Sequence, residues 1–146
     1  MSEPNAEHAP PVPQGRYRPA RRHADVIYTS GMTPRDNGEL RLAGPVRASD
    51  PVESWHDAVR LACRNALTAA SLQLAPGEHI AAILSLTVFI HAETGFTLHS
   101  RLADFASDFL FDELGEAGIG SRAAVGVASL PGNAPVEIQL IAAAAR

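Results

Sequence analysis

The segment Ala82 to His91 constrains the fold more than any other part of the chain. Leu84, Leu86, Val88 and Ile90 fall on one side of a period-two pattern, with Ile83, Ser85, Thr87 and Phe89 on the other. Two substantially apolar sides predict a strand in the middle of a sheet. Its neighbours are expected from Tyr17 to Arg22, from Asp25 to Gly31 (DVIYTSG), from Ser121 to Leu130 and from Pro135 to Ala144. The last two flank Pro131-Gly132-Asn133-Ala134, which reads as the loop of a terminal hairpin. Thr33 to Gly44 carries Pro34, Asp36-Asn37-Gly38 and Gly44, and predicts a loop.

Two helices fit between these strands. Asp50-Pro51-Val52-Glu53 resembles a helix entry, with Asp50 accepting from unpaired amides, Pro51 at the first helical position and Glu53 reaching back. The helix is expected to run from Pro51 to about Leu72, burying Trp55, Val59, Ala62, Ala66 and Ala69. Pro76-Gly77 then marks the connecting loop. A second helix is expected from Thr94 to Leu114, burying Leu98, Leu102, Phe105 and Phe109 and stopping at Gly115. This order predicts an α+β fold, a mostly antiparallel sheet with both helices on one face. Ala123, Val125 and Val127 alternate with Ala124, Gly126 and Ala128, so the other face also reads as apolar, and a partner subunit is the expected cover.

With 146 residues, 46% hydrophobic, the chain suffices for one domain, expected over residues 15–146 behind a loose proline-rich tail at 1–14. That tail has no apolar core and does not read as a secretory signal. All 12 basic residues are arginines, which excludes a lysine Schiff base, a Walker-type phosphate loop and a kinase-type lysine. A net charge of -4 argues against a general nucleic-acid binder. The single cysteine, Cys63, suits a reducing compartment, and the apolar run Ile80 to Ile90 falls short of the ~18 residues of a membrane span, so a cytoplasmic protein is expected.

Glu137 stands between Val136 and Ile138 in an apolar strand. It is either solvent-facing, as Gln139 two residues on would suit, or a desolvated acid or base with an adjusted pKa. Arg122 opens the preceding strand, either as a solvated arginine or as a two-pronged grip for a substrate carboxylate. In a hairpin pairing Leu130 with Pro135, the two side chains share a face but stand six residues apart along the ladder, roughly 20 Å at ~3.3 Å per residue. A common site would therefore need a second subunit. His91 and His99 lack a supporting carboxylate pattern, and no metal site is expected. There is no GxSxG elbow, and Gly118-Ile119-Gly120 precedes its strand, the wrong order for a dinucleotide fingerprint. Arg16, Arg18, Arg21 and Arg22 read as the charged guard of an edge strand in preference to an RNA contact.

Gly15-Arg16-Tyr17, Ile27-Tyr28-Thr29-Ser30-Gly31, Leu86-Thr87-Val88-Phe89-Ile90, Ser121-Arg122, Val127-Ala128-Ser129-Leu130-Pro131 and Val136-Glu137-Ile138 follow one another in an order that resembles the RidA (YjgF, endoribonuclease L-PSP) family. The resemblance covers nearly the whole chain from Gly15. GVASLPGNAPVEIQ and the long Asp112 to Gly120 connection look closer to its YoaB-like branch. Membership implies a chorismate mutase-like α+β fold and a homotrimer with clefts between subunits. It implies that Arg122 binds the carboxylate of a small 2-imino acid and that Glu137 helps water attack the imine carbon, giving a 2-keto acid and ammonia. Tyr17 and Ser30 would line the same cleft, the tyrosine as a catalytic hydrogen-bonding group, with no cofactor. Arg16, Met32 and Ser100 stand where the family usually has proline, glutamine and asparagine. Two other functions are compatible with the resemblance: a trimer that binds a keto acid without turnover, and an endoribonuclease or translation inhibitor.

Overall fold

The computed structural model describes residues 8–146. It contains a five-stranded sheet in the order β1-β2-β7-β5-β6, built from β1 (Ala20–His23), β2 (Val26–Thr29), β5 (His79–His91), β6 (Ser121–Val127) and β7 (Val136–Ala145). Helices α1 (His56–Ser71) and α2 (His99–Leu114) pack on one face. The segment expected to be a loop carries a small hairpin, β3 (Arg35–Asp36) with β4 (Glu39–Leu40), turning at Asn37 and Gly38, both at positive φ. Among the described residues, no helix is long and apolar enough to cross a membrane.

The expected terminal hairpin does not form. β6 pairs in parallel with β5, and β7 pairs antiparallel with β5 on its other side and with β2. The strands β5 and β7 are the longest, 13 and 10 residues, and pairing them with each other joins the most extensive apolar surfaces at the centre of the sheet. α2 supplies the crossover that a parallel β5/β6 pair requires. Residues 128–135, containing a short 3₁₀ turn at Pro131–Asn133, then carry the chain past the end of β5. That crossing is held by His91 N–H donating to the Pro135 carbonyl at 2.9 Å and Gly44 N–H donating to the Asn133 carbonyl at 2.8 Å.

The helix entries also differ in detail. Asp50 accepts from the Arg47 amide at 2.8 Å, not from a helix amide, and Glu53 accepts from Arg101 at 2.7 Å. The segment therefore opens as a 3₁₀ turn at Val52–Trp55, and the α-helix begins at His56. The expected stripe of Trp55, Val59, Ala62, Ala66 and Ala69 is buried throughout. Cys63 joins it, and burial pushes its thiol pKa far up. α2 begins at His99, five residues later than expected, so Leu98 lies outside the helix and is exposed. Its buried stripe is Leu102, Ala103, Ala106, Phe109 and Leu110, with Phe105 only partly buried, and Gly115 ends it at positive φ.

The register of β5 on β7 shifts between Ile80 and Ala82 and again between Ile83 and Ser85. A bulge reverses which side the next side chain takes. Ile83 therefore points into the core while Leu84, expected beside Leu86, is 45% exposed. From Leu86 onward the alternation holds, with Leu86, Val88 and Ile90 buried under the helices.

Side chains opposite one another in a ladder share a face. The face away from the helices thus carries Tyr28, Ile141 and Ser85 in one row, Gln139, Thr87 and Ala123 in the next, and Glu137, Phe89 and Val125 in a third. Among the described residues, no element covers it: Tyr28 is 47% and Val125 40% exposed, and Ala123 is exposed. The expectation that β6 is buried on both faces fails within a single chain.

Candidate functional site

Glu137 projects from the uncovered face in the same row as Phe89. The loop after β2 lies beside it, because Met32 and Ile138 exchange amide-to-carbonyl hydrogen bonds of 2.7 and 2.8 Å. A Cβ on Gly31 would stand 2.7 Å from Glu137 Cδ, so only glycine lets this carboxylate lie against the loop. Glu137 is half-buried and, among the described residues, has no hydrogen-bond or ion-pair partner. Loss of hydration therefore raises its pKa above the ordinary 4.5. A carboxyl group so placed is a proton acceptor held closer to neutrality than a surface glutamate.

Ser30 immediately precedes Gly31, and its hydroxyl donates to the Arg18 carbonyl at 2.6 Å. The Tyr17 hydroxyl accepts from the Gln14 amide at 3.0 Å. With Arg18, Arg21, Tyr28 and Thr29 the two line an open depression of ≈ 400 Å³ at the margin of the uncovered face. Three of the four residues expected at the site, Tyr17, Ser30 and Glu137, are thus gathered around one short loop.

Of the segment expected to be a loose tail, residues 8–14 are described, and residues 1–7 lie outside the described part. His8 Nε2 is 2.7 Å from Asn65 Oδ1, and buried Asn65 donates to the carbonyls of Thr33 and Arg35 at 3.1 and 2.9 Å. One side chain of α1 thereby ties down both the N-terminal segment and the approach to the β3–β4 hairpin. Arg22 lies on the edge strand β1 and is used structurally, gripping Glu78 at 2.6 and 2.8 Å, which holds that carboxyl down at about 2.

Arg122 lies elsewhere. It pairs with Leu86 on edge strand β6 and turns toward α2, the face opposite to Glu137. This reverses the shared face expected from the hairpin, because β5 separates the two strands and the ladder positions differ by an odd number. Arg122 is level with Leu86 and Glu137 with Phe89. Three residues along and two strand spacings across separate their backbones by roughly 14 Å. A single chain does not bring them to one small molecule.

The Arg122 guanidinium is already engaged. Nη1 donates to Asp104 Oδ1 at 2.8 Å and to Ser107 Oγ at 3.0 Å, and Nη2 donates to Ser100 Oγ at 2.8 Å. It lines an open groove of ≈ 530 Å³ with Thr97, His99, Ser100, Ala124 and Gly126. A Cβ on Gly126 would lie 2.9 Å from His99 Nε2, so the imidazole rests directly on that backbone. Asp104 and Ser107 escaped notice in the sequence, although Ser100, Asp104 and Ser107 follow the i, i+4, i+7 spacing of one helical face. Among the described residues, no group of three or more metal-ligating side chains comes together.

Residues 7–144 match the model of the family described as endoribonuclease L-PSP. The fold is similar to that of a candidate endoribonuclease from Shewanella oneidensis MR-1, with a TM-score of 0.83 and 30% identity over 92% of this chain and 89% of that one. It is similar to Atu1372 of Agrobacterium tumefaciens, a protein of unknown function, with a TM-score of 0.80 and 32% identity over 92% and 87% of the two chains. Escherichia coli TdcF, solved with bound serine, matches with a TM-score of 0.65 and 26% identity over 93% of each chain.

Proposed function

Because this chain belongs to the endoribonuclease L-PSP family, which includes RidA and YjgF, we propose that it hydrolyses small 2-imino acids in a cleft completed by a second copy of itself. The observation that carries this reading is Glu137: a half-buried carboxylate, without a partner among the described residues, on an uncovered apolar face and against the loop whose Ser30 shares a depression with Tyr17. A partner subunit docked on that face shields the cleft and brings its own Arg122 groove to the Glu137 loop. Three such contacts close a cyclic trimer.

The chemistry then divides between the two half-sites. Arg122 holds the substrate carboxylate and fixes the imine carbon in place. Glu137 takes a proton from water as the water oxygen bonds to that carbon, and the C=N electron pair moves to the nitrogen, which takes a proton from solvent. The resulting carbinolamine collapses when Glu137 returns its proton to the nitrogen. The C–N bond breaks, ammonia leaves, and the hydroxyl gives its proton to solvent to become the carbonyl of a 2-keto acid, with Glu137 restored as a carboxylate. Tyr17 and Ser30 sit where they can hydrogen-bond the water or the nitrogen. The bound serine of TdcF, an amino acid of the same size class, supports a small carboxylate as ligand. The YoaB-like branch remains part of this proposal, through the GVASLPGNAPVEIQ segment.

Ammonia release from 2-iminobutanoate, generated in place by an amino-acid oxidase, tests the reading. Wild type is expected to accelerate it. Glu137→Gln is expected to lose about 10²- to 10⁴-fold in rate while still binding 2-oxobutanoate. A wild type that binds the keto acid but never accelerates imine hydrolysis would instead mark a metabolite-binding trimer.

A further inference from the structure

We infer that Asp104 is a built-in competitor for the ligand carboxylate at Arg122 and so sets the affinity and selectivity of that half-site. The inference rests on the proposed role of Arg122. Four hydrogen bonds engage the guanidinium: Asp104 and Ser107 take Nη1, while the Ser100 hydroxyl and carbonyl take Nη2 at 2.8 and 3.4 Å. Among the described residues only Nε–H is left free. A carboxylate seeking two parallel bonds meets a fork that is already occupied and a charge that is already balanced.

The two kinds of partner are not equivalent. Ser100 and Ser107 are neutral and orient the guanidinium, and both can yield a lone pair without leaving a charge behind. Asp104 is 57% exposed at its side chain against 23% for Arg122, so it can swing into water at little desolvation cost while Arg122 stays in place. The ligand therefore exchanges one carboxylate for another on a fixed cation. Molecules without a carboxylate, neutral imines and amides among them, have nothing with which to displace Asp104 and are excluded. Asp104 in this account is a selectivity residue and takes no part in the bond changes.

Calorimetric titration with 2-oxobutanoate on wild type, Asp104→Asn, Asp104→Glu and Arg122→Ala tests this. Asparagine keeps an acceptor for Nη1 and removes the charge, so Asp104→Asn is expected to lower Kd about two- to fivefold, the range of an exposed ion pair. KM for the imine should fall with it, and kcat should hold. Asp104→Glu restores the charge and should return Kd to the wild-type value. If Asp104→Asn weakens binding, Asp104 positions the guanidinium and the inference is overturned. It is equally overturned if Asp104→Glu tightens binding as Asp104→Asn does. These results differ from failure of the underlying site: there, Arg122→Ala would bind 2-oxobutanoate as well as wild type, whatever the Asp104 variants do.

Discussion

Glu137 concentrates the conflict between stability and activity in one residue. Its folded-state pKa is raised, so the folded protein disfavours the ionised form that unfolded chains hold freely above pH 4.5. Stability is therefore fully present below the unfolded value and declines as pH rises through the folded one. Glu137→Gln removes the charge and is expected to raise the melting temperature at pH 7, with the gain over wild type closing below about pH 4.5. Thermal melts of the two proteins across pH 3.5–8 check this, and an unchanged or lower melting temperature at pH 7 would mean that the carboxylate is satisfied after all. Glu137 could be singled out in the sequence because a carboxylate interrupts an apolar run. The side chains that surround it could not, because Gly31 and Met32 reach it through a backbone bridge more than a hundred residues away in the chain.

At the scale of elements, the strands and helices were legible because their apolar periodicities are strong, and their connectivity was not. Pro131-Gly132-Asn133-Ala134 looks like a hairpin loop, yet it carries the chain past the end of β5. Local turn chemistry is the same for both uses; what decides is the better match of β7 with β5, a property of two segments distant in sequence. The bulges in β5 are hidden for the same reason, and they turn Leu84 away from the face that simple alternation predicts. The β3–β4 hairpin is secured from outside by Asn65, whose amide serves the Thr33 and Arg35 carbonyls. Asn65→Ala removes both of these hydrogen bonds, leaving Thr33 only the Arg35 amide as donor, and at about 0.5–1.5 kcal/mol per bond is expected to cost about 1–3 kcal/mol. Urea unfolding measures that cost, and a loss under about 0.5 kcal/mol, ordinary for a surface change, would show that the tie is dispensable.

For the whole molecule, the central claim is that neither half of the site works alone. Glu137 lies against the loop after β2, whose Ser30 shares a depression with Tyr17 at the margin of the uncovered face, while Arg122 turns to the opposite side of the sheet on the far edge strand. Charge introduced on the face should separate the copies. On the proposed assembly, Val125→Asp is expected to shift the trimer to monomer in analytical ultracentrifugation and to abolish the proposed imine hydrolysis together with assembly. A variant that stays monomeric yet fully active would show that one chain suffices. The most direct measurement mixes Arg122→Ala with Glu137→Gln, each expected to be severely impaired alone, after unfolding and refolding them together. If the two groups come from different copies, about a quarter of the sites in randomly mixed trimers regain both and hydrolysis returns. If mass spectrometry shows mixed trimers and the imine still goes unhydrolysed, the shared cleft is contradicted.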